Sequence, residues 1–494
     1  MMIARLRLRA RCEGNPNRQH CAARRCRWGA LIGVLAWSVL TAGWTAAEAP
    51  RRPNVLIITT DQQRVDAASV VGNPWLKTSN LDRLASHGVY FTKSYCSYPL
   101  CSPSRASLHT GRFPHEIGVD HNNMAIRPGI PVSGELFRNA GYDAAYAGKW
   151  HCPTVYPTEG IDGFQVLNRT TRQGKLARDV DAATIEAAID FLKQPREKPF
   201  YLVVSLINPH DICLPAGESS PLLEQIWQRY GPPAGVELPP LPANFQLPSN
   251  EPEWLGQRRP KHPDWNELQW RRYIYAYYRM VEDVDAQIGQ VLDTVREIGA
   301  EKNTLIVFTS DHGEGLGCHQ WTGKMMFFDA EAAVPLIVSW EGVTPTRIDR
   351  QHLVSTVDVL PTICDYAGIK PPADVRGQSL RPIIEDPNAP WRDYVVSEMA
   401  HTPAIGRSFM VRTPRYKYIR LARPNSAPVE LLFDMENDPA ELTNLAEKTK
   451  MQPVLEEHRR ILEKWREATG EKTSPVQPSP KFAGPPKQRA KKAA

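Results

Sequence analysis

Cys101 opens the run Cys101-Ser102-Pro103-Ser104-Arg105, which continues to Leu108-His109-Thr110-Gly111-Arg112. The guanidinium stands one helical turn beyond the thiol, so a helix here would put both on one face. Two polar pairs, each with one aspartate, lie far apart in the chain, Asp61-Gln62 and Asp311-His312. Carboxylates joined by an amide oxygen form the donor set of a hard divalent cation, which suits calcium, with magnesium or manganese as alternatives. A ring nitrogen is an unusual calcium ligand, so His312 reads either as a ligand or as a hydrogen-bonding neighbour of one. Lys149 in Gly148-Lys149-Trp150-His151, Lys324 in Trp321-Thr322-Gly323-Lys324 and His210 in Asn208-Pro209-His210-Asp211 complete the candidates. Singly, a lysine is ordinarily a solvated charge, a histidine a structural residue and a cysteine a small buried hydrophobe. Together they would supply positive charge and proton transfer beside a cation.

These polar clusters share a context. Asn54-Val55-Leu56-Ile57-Ile58-Thr59-Thr60 is a continuous, β-branched apolar run and reads as a buried strand ending on Asp61. The segments 142–150, 200–207 and 304–309 read the same way, and each ends in one of the clusters. Segment 334–340 is a further strand, and 89–95 is extended. Helical patterns fall at 78–87, 104–110, 132–140, 181–193, 267–298 and 356–367. The alternation predicts an α/β fold with one large, mostly parallel sheet, helices on both faces and a site along one edge. From about residue 393 the pattern changes to short strands at 394–398, 409–412, 416–421 and 431–434, closed by a helix over 454–466. That predicts a smaller C-terminal antiparallel sheet plus helix.

The run from Cys101 to Arg112 resembles the maturation signature of the type I, formylglycine-dependent sulfatases of the alkaline-phosphatase-like superfamily. The resemblance spans roughly residues 52–470 and extends to Gly148–His151, to Asp311–Gly313 and to Leu432-Phe433-Asp434 with Asn437-Asp438-Pro439. It implies that Cys101 is oxidised by a formylglycine-generating (sulfatase-maturating) enzyme to Cα-formylglycine, whose hydrate attacks sulfur. It implies a divalent cation held by Asp61, Gln62, Asp311, His312 and the group made from Cys101. Arg105 would hold the hydrate, and Lys149 and Lys324 would contact sulfate and leaving-group oxygens. His210 would protonate the departing alcohol, and His151 would take the proton that lets sulfate leave. Two positions depart from the common pattern: Gln62 stands where many members carry aspartate, and His312 where many carry asparagine. Fewer negative charges weaken calcium binding. The expected activity is that of a sulfuric ester hydrolase on an O-sulfated carbohydrate. Alternatives are a phosphonate or phosphodiester hydrolase of the same superfamily, or a non-catalytic sulfoglycan-binding protein in which Cys101 stays a thiol. Loop 120–123 and the aromatic residues Trp227, Tyr230, Trp254 and Trp265 are candidates either to meet the sugar or to pack the 211–265 segment onto the body.

Bulk properties bound this reading. With 494 residues, 42% hydrophobic and 23% charged, the chain is long enough for a large α/β domain with an appendage. The net charge of +6 is concentrated at the two ends, leaving a nearly neutral body and no basic face for nucleic acid. Arg24, Arg25 and Arg27 precede the apolar stretch 28–42 and the small-residue site Ala47-Glu48-Ala49, the layout of an export leader. The expected organisation is a leader at 1–49, a catalytic body at 50–392 with an insertion at 211–265 over the site, a small α+β unit at 393–471 and a disordered basic tail at 472–494. The expected location is periplasmic or secreted, with no membrane attachment once the leader is cut. Of nine cysteines, three fall in the leader and no pairing among the rest is assignable.

Overall fold

The computed structural model describes residues 52–152, 160–168, 174–217, 221–247, 250–262, 265–402 and 405–471. The leader and the basic tail lie outside the described residues.

Everything that positions the site hangs on β1 (Asn54–Asp61), whose eight residues are all buried. Side chains alternate across a strand. Val55 and Ile57 accordingly pack into one core with Ala106, Leu108, Val359 and Ile363, while Leu56 and Ile58 pack into another with Ile185, Ala188, Val284 and Ile288. Helices Cys101–Thr110 and Val359–Tyr366 thus cover one face of the sheet, and Ala177–Lys193 and Glu267–Glu297 cover the other. A run apolar on both sides needs this double cover.

The remaining strands are β2 (Gly88–Phe91), β3 (Ser94–Tyr95), β4 (Asp143–Gly148), β5 (Gln165–Val166), β6 (Phe200–Pro209), β7 (Thr304–Ser310), β8 (Leu336–Ser339), β9 (Arg347–Asp349) and β10 (Val354–Ser355). The large sheet is 8-stranded with order β5-β4-β6-β1-β7-β8-β2-β9. Only β8 runs against its neighbours. The expected mostly parallel sheet is therefore present, with β5, β9 and β10 as short additions the periodicity did not reveal, while the extended segment 89–95 divides into β2 and the β3 that pairs with β10.

Register brings the polar clusters to one edge. Thr60 pairs with Ser310, Asp61 with Pro209 and Gly148 with Ser205. Asp61, Lys149, His210 and Asp311 therefore leave the sheet at the same end, the carboxyl end of parallel strands where open α/β sheets gather ligands. Gly148 is held at φ 95°, and a Cβ there would fall 2.0 Å from the Ser205 carbonyl oxygen. Only glycine lets β4 turn tightly enough for the Lys149 N–H to donate to that carbonyl at 2.9 Å.

The C-terminal sheet is a four-stranded antiparallel meander of β11 (Val395–Ala400), β12 (Arg407–Arg412), β13 (Tyr416–Arg423) and β14 (Ser426–Asp434). Val396, Phe409, Val411 and Leu432 face helix Gln452–Thr469 through Leu455, Leu462 and Trp465. Met399, Met410, Ile419 and Leu431 face Tyr95, Tyr98 and Phe327. This second face reaches the segments just before Cys101 and just after Lys324. Residues from Arg52 onward form one compact unit.

Candidate active site

Cys101 is the first residue of its helix and wholly buried. Its Sγ lies 3.3 Å from His312 Nε2, 3.2 Å from Lys324 Nζ and 3.7 Å from Asp61 Oδ1. Asp61, Cys101, Asp311 and His312 each bring one donor atom within 4.8 Å of the others. His312 Nδ1 lies 2.9 Å from the Gly313 carbonyl, to which it can donate, and Nε2 faces the cluster. Burial opposes charge on this ring but Asp311 raises it, so Nε2 becomes an electron-pair donor only when a cation displaces its proton. Two carboxylates, one such imidazole and a sulfur in a closed cup fit a divalent cation.

Cationic groups close in on this cup. Arg105 donates Nε to Asp311 Oδ2 and Nη2 to Asp61 Oδ2, each at 2.9 Å, and Nη1 to the Lys149 carbonyl and Ser205 Oγ. Its fork therefore locks the two carboxylates in place from behind. Lys149 Nζ donates to Asp61 Oδ2 at 2.7 Å. His210 Nε2 is 3.9 Å from Asp61 Oδ1, and its Nδ1 is buried without a hydrogen-bond partner among the described residues. His151, at φ 66°, accepts a hydrogen bond from Ser102 on its carbonyl, and its buried Nδ1 also lacks a partner among the described residues.

The site's electrostatics follow from this packing. Burial opposes charge on Asp61, yet Lys149, His210, Arg105 and Lys324 together hold its carboxyl well below the usual range. Burial and the adjacent Asp61 push Asp311 up to about 6 against His312 and Arg105. Burial and Asp61 resist ionisation of Cys101, but Lys149, Lys324 and His312 prevail and hold the thiol well below its ordinary value. Burial, with Lys324 and Lys149, drives His210 down to about 3, so its imidazole is neutral near pH 7. Burial and Lys149 likewise lower His151.

Gln62 differs from the other members of the cluster. Its amide Oε1 accepts from Lys324 Nζ at 3.0 Å, and its Nε2 donates to Glu314 and lies 3.1 Å from Cys213 Sγ. Its backbone N–H donates to Asp311 Oδ1 at 3.0 Å. The side chain thus bridges Lys324 and the buried Glu314, which Tyr273 and the Gly323 N–H also hold. Ser205, Cys213 and Glu314 were not singled out from sequence. Glu314 continues the Asp311-His312-Gly313 cluster and is legible as part of it, whereas Ser205 and Cys213 carry no pattern. Among loop 120–123, Asn122 caps the helix by accepting from the Ser102 N–H, and Asp120 is buried in a two-point pair with Arg407 at 2.7 and 2.9 Å. His109 and His115 are structural, bonded to Ser133 and Glu398, and His319 stacks on Phe328. All six cysteines in the described residues are free thiols.

Residues 53–369 match the sulfatase family, and residues 317–468 match the C-terminal domain of N-sulphoglucosamine sulphohydrolase. The chain belongs to the sulfatase family. This sulfatase is 33% identical to a Δ4,5-hexuronate-2-O-sulfatase of Bacteroides thetaiotaomicron, over 85% of this chain and 89% of the relative. A solved 2-O GAG sulfatase superposes with a TM-score of 0.73 at 30% identity, covering 87% of this chain and 96% of that one. The phosphonate monoester hydrolase of Agrobacterium radiobacter superposes with a TM-score of 0.70 at 25% identity, covering 85% and 96%. No helix among the described residues is long and apolar enough to cross a membrane.

Proposed function

We propose that this sulfatase hydrolyses an O-sulfate ester of a sulfated carbohydrate outside the cytoplasm, using a formylglycine made from Cys101 and a divalent cation, calcium by its two carboxylates. The observation that carries the reading is the position of Cys101: at a helix mouth, against two carboxylates and the His312 ring, with Lys324 above it. Asp61, Asp311 and His312 would hold the cation, which supplies positive charge beside the reacting oxygens. The aldehyde hydrate, when present at Cys101, supplies the nucleophile. Cys101 has no exposed surface in the folded chain, so its maturation enzyme must act before the fold closes.

The chain's own residues perform the rest. Lys149 and Lys324 bring positive charge against the sulfate, which relieves the repulsion between an anionic group and the two aspartates. Arg105 keeps those aspartates aimed. His210 is neutral in the free protein because it is buried and because Lys324 and Lys149 stand near it, and an arriving sulfate offsets the share due to those cations. The ring would then take up a proton from solvent water and pass it to the leaving alcohol. His151, neutral with an unbonded Nδ1, is suited to accept a proton.

The structural likeness to a phosphonate monoester hydrolase favours one second reading, in which the same cup takes a phosphonate or phosphodiester. Steady-state kinetics on converted protein separate the two. Sulfated sugars and aryl sulfates should exceed phosphonate monoesters in kcat/KM; the opposite order overturns the sulfatase reading. Protein carrying unmodified Cys101 should bind sulfated sugar without turning it over.

A further inference from the structure

The aromatic residues of the 211–265 segment are mostly committed to packing. Tyr230 is buried and hydrogen-bonded to Asp283, Trp227 lies against Arg272, and Trp265 stacks on His262 at 4.3 Å. Trp254 is different. Two guanidiniums lie over its ring, Arg258 at 4.9 Å from the same helix and Arg423 at 5.9 Å from the end of β13. An indole holding cations in this way fixes their position without neutralising them. Among the described residues neither arginine has a carboxylate within 4 Å. Their neighbours show the contrast: Arg259 pairs with Glu251 and donates to the His319 carbonyl, and Arg407 pairs with Asp120.

This unneutralised charge rides on Trp254, which packs on the same core cluster as Leu100 and Met325, the chain neighbours of Cys101 and Lys324. The Tyr98 hydroxyl donates to the Asp120 carbonyl at 2.7 Å and accepts from the Ala400 N–H at 2.8 Å, which brings together the chain positions followed by His121 and His401. Asn122 then caps the Cys101 helix. Met325, next to Lys324, donates its N–H to Pro99, and Leu100, Met325 and Trp254 all pack on the cluster that contains Tyr98 and Leu255. Burial, followed by Arg258 and His121, lowers His401 to about 4, so its ring sits within the field of that arginine.

We propose that Arg258 and Arg423, held on Trp254 beside His121 and His401, form a subsite for a second anionic group on the sugar, a carboxylate or a further sulfate, next to the ester being cleaved. The inference rests on the sulfated-carbohydrate reading and adds to it that the substrate is polyanionic. A guanidinium offers a planar two-point donor to either oxyanion. Arg258 is exposed and Arg423 half-buried; charge-assisted contacts of that kind account for roughly a tenfold change in binding each. Trp254 acts here as a positioning residue for the arginines, not as a stacking platform for sugar.

The test uses the converted full chain, R258A, R423A and the double variant, with R258K as the conservative control. Four substrates separate the sources: a Δ4,5-hexuronate 2-O-sulfate disaccharide, its carboxyl-reduced counterpart, glucosamine 6-O-sulfate and glucosamine N,6-O-disulfate. Wild-type protein should prefer one anion-bearing member over its neutral partner. The double variant should lose that preference by roughly 30–100-fold, mainly through KM, with R258K intermediate. A preference in the uronate pair identifies a carboxylate, and one in the glucosamine pair identifies a second sulfate. Equal losses on both members of each pair, or a wild type indifferent to the second charge, overturn the subsite while leaving the sulfatase reading intact. A wild type that desulfates none of the four sugars overturns the carbohydrate reading itself. Matching melting curves for the single variants exclude misfolding as the cause of any loss.

Discussion

Replacing Arg105 by alanine should cost this sulfatase more in stability than most single changes, and the size follows from the contacts. The guanidinium is 3% exposed and donates to Asp61 and Asp311 at 2.9 Å each, as well as to a carbonyl and a hydroxyl. Removing it strands two carboxylates side by side in a closed site. Breaking a buried ion pair from one side costs about 3–5 kcal/mol. For a unit of roughly 420 residues, about 2.1 cal/mol/K per residue gives about 0.9 kcal/mol/K, so the melting temperature should fall by about 3–6 °C. The assay is calorimetry of wild type and R105A in excess chelator, repeated in millimolar calcium. Calcium should shrink the gap, because a cation between Asp61 and Asp311 replaces part of the lost charge. A gap below about 1 °C in chelator, or one that calcium leaves unchanged, refutes the reasoning that Arg105 and a cation share the task of neutralising these aspartates.

Other outcomes follow from the same geometry. C101A should retain the fold, label with no aldehyde-specific reagent and lose at least about a thousandfold in kcat, which a single-turnover assay measures. Chelation should abolish turnover, calcium should restore it, and D311N should require at least about tenfold more calcium for half-recovery in a titration of activity. G148A forces a Cβ to within 2.0 Å of the Ser205 oxygen and should destabilise by roughly 2–4 kcal/mol in urea unfolding while displacing Lys149. The buried His115–Glu398 pair, 2.7 Å apart, raises the histidine and lowers the glutamate. The histidine's contribution is complete below its unfolded value near 6.5 and fades as pH rises through its folded value. The glutamate's is present above its unfolded value near 4.3 and fades as pH falls. H115Q should therefore lose about 1–3 kcal/mol at pH 5.5 and less at pH 8, read from denaturation midpoints at each pH.

Strands were legible where burial was complete on both faces. The apolar runs of β1, β6 and β7 leave little choice of structure, and each stops where a polar cluster begins. The helix at Cys101 was legible in type, but its start fell three residues earlier than the pattern placed it, because every residue in it is buried and no polar face marks its periodicity. Short β5 and β9 were invisible because a two- or three-residue strand has no period. In the site, charged residues announced themselves by following strands. What sequence could not show was how Gln62 is used: an amide can face a cation or bridge two neighbours, and only the placement of Glu314 and Lys324 around it displays the bridge. Arg258 and Arg423 were equally silent, since an unpaired arginine and a paired one look alike until their neighbours are known.

The Tyr98 hydroxyl is a single rivet through two layers: it clasps the Asp120 turn and the backbone at Ala400 in the last sheet, three residues before the chain reaches Cys101. Removing the terminal meander would therefore not trim an ornament but spring the wall of the reaction chamber. Engineers who wish to transplant a new sugar preference into this scaffold must move that turn and that meander as one piece.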